Sequence, residues 1–287
     1  MLSVLVIGAG MMGQTHIKAY QEMNHVKLVG IVDKNINKAN QVAQGDTKTF
    51  ASFDEATAQL DKVDVIDICL PTYLHKEYVE QAATLGKDII CEKPLGHNLK
   101  EAVYMKEFCE NRNVRLFVGH VVRFIPEYSQ AKQLVESGTI GNAGVVRTSR
   151  NSGFPDRDDD WFADFNKSGG VVLDLIIHDF DFLRWCFGEV ERVFAKGLYG
   201  RGFLKKDYAL VTLKFENGVI AHVEGSWSHD VFQKRFEFAG DNGAFEYDSL
   251  KERSISLSLD NNDLGAVTES PTQHSPYYLE LSILWSV

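Results

Sequence analysis

Gly8-Ala9-Gly10-Met11-Met12-Gly13 constrains this chain more than any other stretch, because of what flanks it. Ser3 to Ile7 before it is apolar and β-branched, and residues 12–23 after it carry the spacing of an amphipathic helix. Strand, glycine turn and helix in that order fit G-x-G-x-x-G. The first glycine permits a tight turn, the second lets backbone amides approach a pyrophosphate, and the third lets helix and strand pack closely. The positive end of the helix favours the anion, and Met11 and Met12 join the glycines as expected cofactor-binding residues. Asp33 stands about 20 residues further on, after the apolar run Val26 to Val32, where a carboxylate accepts hydrogen bonds from a ribose. It would repel a 2′-phosphate, so NAD is expected over NADP, although Lys34 softens that repulsion. Glycine-rich turns also occur where no ligand binds; the coincidence of strand, helix and acidic residue favours the dinucleotide.

To about residue 119, short β-branched runs alternate with amphipathic stretches, the pattern of a parallel sheet covered by helices. Strands are expected at Ser3 to Ile7, Val26 to Val32, Val63 to Ile68, Lys87 to Cys91 and Arg115 to Val118, with helices near 12–23, 35–44, 74–85 and 98–111. Beyond residue 140 the rhythm changes. Alternating strands are expected at Ala143 to Asn151, Val190 to Tyr199, Tyr208 to Phe215, Val219 to Trp227, Arg235 to Ala239 and Gly243 to Tyr247, interrupted by one apolar helix from Gly170 to Phe187. Turn signals at Glu216-Asn217-Gly218 and Asp241-Asn242-Gly243 mark two hairpins. A length of 287 residues exceeds the usual single domain. The expectation is an α/β chain with domains at 1–119 and 120–287, the second an α+β domain on a largely antiparallel sheet.

Composition narrows the partners. A net charge of -10, with basic residues scattered among acidic ones, argues against nucleic acid. Cys69, Cys91, Cys109 and Cys186 lie in apolar segments without CxxC spacing, as buried free thiols in a reducing compartment would. No apolar run reaches the roughly 18 residues of a membrane span. The opening run lacks a basic flank, and Gly8, Gly10 and Gly13 interrupt it, unlike a secretory signal. A cytoplasmic protein without a membrane partner is expected.

Five further segments carry candidate chemistry. Glu92, Lys93 and Pro94 follow a buried strand, at the sheet edge where ligands bind in open parallel sheets. Lys93 is there either an acid–base group between nicotinamide and substrate or a surface lysine paired with Glu92. Pro71 and Thr72 read as a turn and helix cap, with His75 either lining the cofactor cleft or bonding locally. On a continuous helix from 170 to 187, Asp174, His178 and Asp181 share one stripe opposite Val172, Ile176, Phe180, Leu183 and Phe187. A carboxylate beside an imidazole suits proton removal from an alcohol. A solvated face is the second reading and a metal the last, since no Cys/His cluster completes a coordination sphere. His120 and Arg123 either contact substrate or brace the domain junction. Asn151 to Asn166 reads as a loop whose Arg157, Asp158 and Trp161 either bind hydroxyls or cap the helix.

Gly8-x-Gly10-x-x-Gly13 with His16, Pro71 through His75, Glu92-Lys93-Pro94, Gly119-His120-x-x-Arg123-Phe124 and Gly169-Gly170 leading into Asp174-x-x-x-His178-x-x-Asp181 together resemble the glucose–fructose oxidoreductase / inositol dehydrogenase / rhizopine-catabolism (Gfo/Idh/MocA) family over nearly the whole chain. The resemblance implies an N-terminal Rossmann domain and a C-terminal domain whose open sheet supports homodimers or homotetramers. It implies catalytic roles for Lys93, Asp174 and His178, with His178 accepting the substrate proton, Asp174 orienting it or binding substrate, and Lys93 bridging cofactor and substrate. Pro71, Thr72, His75 and Glu92 join the cofactor set, and His120, Arg123 and Trp161 the substrate set. The implied activity is NAD(P)-dependent hydride transfer from a secondary alcohol of a polyol, cyclitol or sugar. A cofactor-binding regulator or sensor without turnover is the alternative, and reduction or elimination on another small molecule is left open because fold does not fix chemistry. The apolar end, Leu279 to Val287, reads as a truncated tail where similar proteins continue into further helices.

Overall fold

The computed structural model describes residues 1–155, 160–198, 206–251, 255–259, 266–267 and 273–283. Arg157, Asp158 and Tyr199 lie outside them, as does the chain after 283. The chain forms two compact units, Met1–Val121 together with the segment that starts at His274, and Val122–Gln273. The segment from 274 therefore departs from the expected second domain.

The first unit runs β1 (Leu2–Ile7), α1 (Met11–Glu22), β2 (Val26–Val32), α2 (Ile36–Val42), β3 (Lys48–Phe50), α3 (Phe53–Gln59), β4 (Val65–Ile68), α4 (Thr72–Thr84), β5 (Asp88–Glu92), α5 (Leu99–Glu110) and β6 (Leu116–Gly119). The strands form one parallel sheet in the order β3-β2-β1-β4-β5-β6. Val4 to Ile7 are sealed on both faces, as expected of a central parallel strand. The order reverses between β1 and β4, which makes their carboxyl ends the switch point where such sheets bind ligands. Two short elements, β3 and α3, escape the periodicity reading. A local signal does mark α3: Ser52 accepts the Glu55 N–H while the Glu55 carboxylate accepts the Ala51 N–H.

The second unit begins with a 3-10 turn at Val121–Phe124 and α6 (Pro126–Glu136), and continues through β7 (Ala143–Gly153), α7 (Phe165–Ser168), α8 (Gly170–Asp174) and α9 (Ile177–Phe187). Its other strands are β8 (Val190–Leu198), β9 (Tyr208–Phe215), β10 (Ile220–Ser226), β11 (Ser228–Gly240), β12 (Gly243–Asp248), β13 (Ile255–Leu259) and β14 (Ala266–Val267). They build an 8-stranded sheet in the order β14-β13-β12-β11-β7-β10-β9-β8. Among the described residues only the β7–β10 pairing of this sheet is parallel, and both expected hairpins form, β9 with β10 and β11 with β12. One face packs α6, α8 and α9 over a core of Tyr128, Phe182, Phe236, Phe238 and Phe245. On the opposite face Val145, Phe194, Leu198, Leu210 and Ile220 stand exposed.

The expected continuous helix from 170 to 187 is broken. α8 ends at Asp174, Ile176 has φ -87 and ψ 3, and α9 starts at Ile177. The cause lies on β10: a Cβ at Gly225 would come within 2.5 Å of Ile176 Cγ2 and 3.4 Å of Val171 Cγ2. Ile176 packs into the space that Gly225 leaves; Ile176, Leu183 and Phe187 of the expected stripe are buried, Val172 and Phe180 are half-buried, and Val171, Leu175, Asp179 and Phe182 complete the buried face.

α10 (Pro276–Ser282) packs on α1, with Leu281 joining the core of Ile17, Tyr20 and Met23. Filling the space beneath Ile176 tests the break. Gly225→Ala is expected to lower the unfolding free energy by about 1–3 kcal/mol, the usual cost of overpacking, as measured by urea denaturation.

Candidate active site

The glycine loop joins the carboxyl end of β1 to α1. Gly8 has φ +101, and a Cβ there would meet the Cys69 carbonyl oxygen at 2.4 Å. At Gly13 a Cβ would sit 1.8 Å from the Gly8 carbonyl oxygen, so only glycine lets α1 start this close to β1. Gly10 is different: open space lies where its Cβ would be, and no side chain caps the helix there. Gly10 and Met11 are exposed. The first amides of α1 thus face an accessible opening, the cradle that a diphosphate requires.

Asp33, at the end of β2, accepts the Ala9 N–H at Oδ2 and the Asn35 N–H at Oδ1, each at 2.8 Å. These bonds fix a carboxylate beside the glycine turn and leave lone pairs for ribose hydroxyls. The residues present therefore fit a dinucleotide.

Around the carboxyl ends of β4 and β5 the structure revises several expectations. His75 is fully buried, its Nδ1 2.9 Å from the Pro94 carbonyl and its Nε2 2.8 Å from the Leu70 carbonyl. It braces the two strand-end loops and offers no surface to a ligand. Burial pulls its pKa down, against those carbonyls. Thr72 is buried as the first residue of α4, and the cap is Pro71, without a side-chain hydrogen bond. Glu92 is buried too. It meets His16 Nε2 at 3.1 Å and accepts the Lys93 N–H at 3.0 Å, and the Lys93 charge acts on it as well. Lys93 itself is half-buried.

His16 anchors a buried polar cluster whose mark in the sequence is the histidine that follows the glycine motif. Its Nδ1 lies 2.8 Å from Asp67 Oδ2, which also accepts the Tyr20 hydroxyl at 2.8 Å, and Cys69 Sγ lies 3.4 Å from the same imidazole. Burial disfavours the imidazolium, yet the Cys69 sulfur and the hydrogen-bonded Asp67 carboxylate raise its pKa well above the ordinary value. Burial likewise works against charge on Glu92, but the His16 contact and charge and nearby Lys93 hold it below the ordinary carboxylate range. From α10, Glu280 turns toward this cluster with both carboxyl oxygens buried and no hydrogen-bond partner among the described residues. Burial and repulsion from Glu92 push its pKa up to about 8.

In the second unit, Asp174 ends α8 and His178 lies in the first turn of α9, both half-buried. They flank the break and do not share the stripe of one helix. Asp181 departs from the expected trio: Arg123 grips it through two bonds of 2.8 and 2.6 Å, which makes Arg123 a brace of α9. The residue between them, Asp179, is the one that spacing passed over. It pairs with Arg150 at 2.7 Å, and Arg150 Nη2 donates to the Tyr128 hydroxyl at 3.1 Å, all three buried. This pair ties α9 to β7 beside His178. Trp161 stacks on Phe162 with ring centroids 3.9 Å apart, and His120 is half-buried at the end of the first unit.

Residues 2–120 match the family model described as an oxidoreductase family with an NAD-binding Rossmann fold, and residues 128–246 match the GFO/IDH/MocA C-terminal domain. Myo-inositol 2-dehydrogenase of Thermotoga maritima is 32 % identical over 274 residues, spanning 91 % of this chain and 79 % of that protein. The chain belongs to the GFO/IDH/MocA oxidoreductase family. The scyllo-inositol 2-dehydrogenase (NAD(+)) of Bacillus subtilis, another of its relatives, is 30 % identical over 292 residues, covering 96 % of this chain and 83 % of its own. A levoglucosan dehydrogenase solved with NADH and levoglucosan superposes with a TM-score of 0.81 at 25 % identity, over 92 % of this chain and 78 % of that one. The family's NAD-binding Rossmann region coincides with the sheet and glycine loop described above.

The buried Glu280 gives this member a measurable pH signature. Its folded-state pKa lies above that of an unfolded glutamate, so its proton stabilises the fold fully below the unfolded value, and that contribution is lost as pH rises toward about 8. Unfolding free energy from chemical denaturation is expected to fall between about pH 5 and pH 8, and Glu280→Gln is expected to flatten that fall by on the order of 2 kcal/mol.

Proposed function

We propose that this chain is an NAD-dependent dehydrogenase acting on a secondary alcohol of a polyol, cyclitol or sugar. The observation that carries the reading is the uncapped, exposed start of α1 behind the Gly8–Gly13 contact, beside the Asp33 carboxylate, in a chain of this family. The inositol and levoglucosan dehydrogenases among its relatives support the substrate class. Asp33 favours NAD over NADP, because a 2′-phosphate beside this carboxylate would be repelled, with Lys34 as the partial offset.

Bound NAD supplies the acceptor for the hydride that leaves the carbinol carbon. In this reading His178 takes the hydroxyl proton at an imidazole nitrogen, leaving a ketone. Asp174 orients the imidazole or binds a neighbouring hydroxyl, and Lys93 polarises the reacting oxygen. The amides after Gly10 hold the diphosphate, and Asp33 holds the ribose. His120 and Trp161 are the proposed substrate contacts, while Arg123 supports α9 through Asp181. Four cysteines, none of them paired, accord with a cytoplasmic setting, and no helix among the described residues is long and apolar enough to cross a membrane.

Purified protein with NAD and a panel of inositols and aldoses, followed by NADH absorbance, tests the activity. Turnover of at least one cyclitol or sugar is expected, with Lys93→Ala and His178→Asn each lowering kcat by about 100-fold or more at nearly unchanged NAD affinity. Normal NAD binding with silence across the panel would instead identify a binding protein without turnover.

The exposed sheet face of Val145, Phe194, Leu198, Leu210 and Ile220 supports self-association through the second unit. Sedimentation equilibrium is expected to show a mass above the 32.3 kDa of one chain, reduced to that mass by Phe194→Asp with Leu210→Asp.

A further inference from the structure

We propose that His16 is a positioning residue for Lys93, acting through the Glu92 carboxylate without touching substrate or cofactor. The proposal rests on the reading of Lys93 as a catalytic group. His16 lies in α1, just beyond the glycine loop, and its ring is wholly buried. One imidazole nitrogen meets Asp67 Oδ2 at 2.8 Å, and the other meets Glu92 Oε1 at 3.1 Å. The second Glu92 oxygen accepts the Lys93 backbone N–H at 3.0 Å. A polar chain therefore runs from the end of β4 through the dinucleotide-loop helix to the backbone of Lys93, its His16–Glu92 link an ion-pair contact outside hydrogen-bond geometry.

Both oxygens of Glu92 are engaged, so its side chain has one orientation as long as the imidazole stays in place. The groups that face His16 come from four elements. Asp67 and Cys69 stand at the end of β4, Tyr20 lies on α1 and reaches Asp67, and Glu92 ends β5 beside Lys93. From α10 come Glu280 and Tyr277, whose ring centroid lies 6.0 Å from the imidazole. A protonated His16 offsets Asp67 and Glu92, while Glu280 retains its proton near neutrality. Without a donor from position 16, the Glu92 Oε1 oxygen would lose its buried partner. Glu92 would then take up a proton or turn outward, and the Lys93 amide would lose its acceptor. The glycine loop and Asp33 make no contact that depends on this link, so loss of His16 should lower kcat more than it weakens cofactor binding.

Two amides separate this role from simple packing. An asparagine amide reaches the place of Nδ1 and keeps the Asp67 contact. A glutamine amide reaches the place of Nε2 and keeps a donor toward Glu92. Kinetics, NADH affinity by fluorescence, thermal unfolding and hydrogen–deuterium exchange of the segment 92–96 would be measured on His16→Asn, His16→Gln, Glu92→Gln and Lys93→Ala. His16→Asn is expected to lower kcat by about 10-fold or more, with NADH affinity within about 3-fold and faster exchange over 92–96, while His16→Gln stays within about 3-fold of the parent. His16→Asn and Glu92→Gln should be non-additive in kcat, because both cut the same chain. Equal effects of Asn and Gln, additivity, or unchanged exchange over 92–96 would overturn the proposal. Unchanged kcat in Lys93→Ala would overturn the underlying reading of Lys93, and exchange over 92–96 would still show whether His16 holds the loop.

Discussion

The approach of α1 to β1 at Gly13 sets the rest of the first unit. With the Gly8 carbonyl oxygen 1.8 Å from where a Cβ would stand, no other residue lets the helix begin so near the strand. That closeness aims the helix amides at the carboxyl end of the sheet, where the chain order reverses, and leaves the entrance at Gly10 open. It also carries His16 inward, one turn on, to meet the ends of β4 and β5. The glycine spacing thus shapes the phosphate cradle and brings the buried cation to Glu92.

A different constraint governs the second unit. Helix and sheet meet there through aromatic packing on one face, and Gly225 provides the recess that takes Ile176. The recess lies where α8 ends and α9 starts, with Asp174 and His178 on either side of the junction. The buried Arg150–Asp179 pair and the partly exposed Arg123–Asp181 pair then hold α9 from two directions. Removing one partner of the buried pair would strand a charge at a cost of roughly 3–5 kcal/mol. Arg150 and Asp179 thus support the helix that carries His178 without entering its chemistry.

Much of this was legible in the chain itself. Period-2 and period-3.6 patterns marked most strands and helices, because burying one face imposes those periods. The two hairpins were legible from Asn-Gly turns, and the dinucleotide cradle from a motif in register with its strand and helix. α3 carried its own capping signal at Ser52 and Glu55, but seven residues are too few for a periodicity argument. His75 showed the opposite difficulty. A histidine in a first helical turn leaves ligand contact and local bonding both open until the two carbonyls that enclose it, from residues 70 and 94, come into place.

What the amino-acid sequence determined alone was the local grammar: where the backbone extends, where it coils, where only glycine fits a turn, and hence a dinucleotide fold of this family. Each of those choices is settled within a few residues by sterics and by the burial of one face. Tertiary structure alone decided the break at Ile176, the burial of Asp179 against Arg150, the burial of His75, and the link from Asp67 through His16 to Glu92. The Asp179 and His16 outcomes depend on side chains 29 and 51 residues apart being desolvated together. A carboxylate becomes a clamp, a brace or a reactive group according to the charge that burial places beside it, and only the folded chain supplies that neighbour.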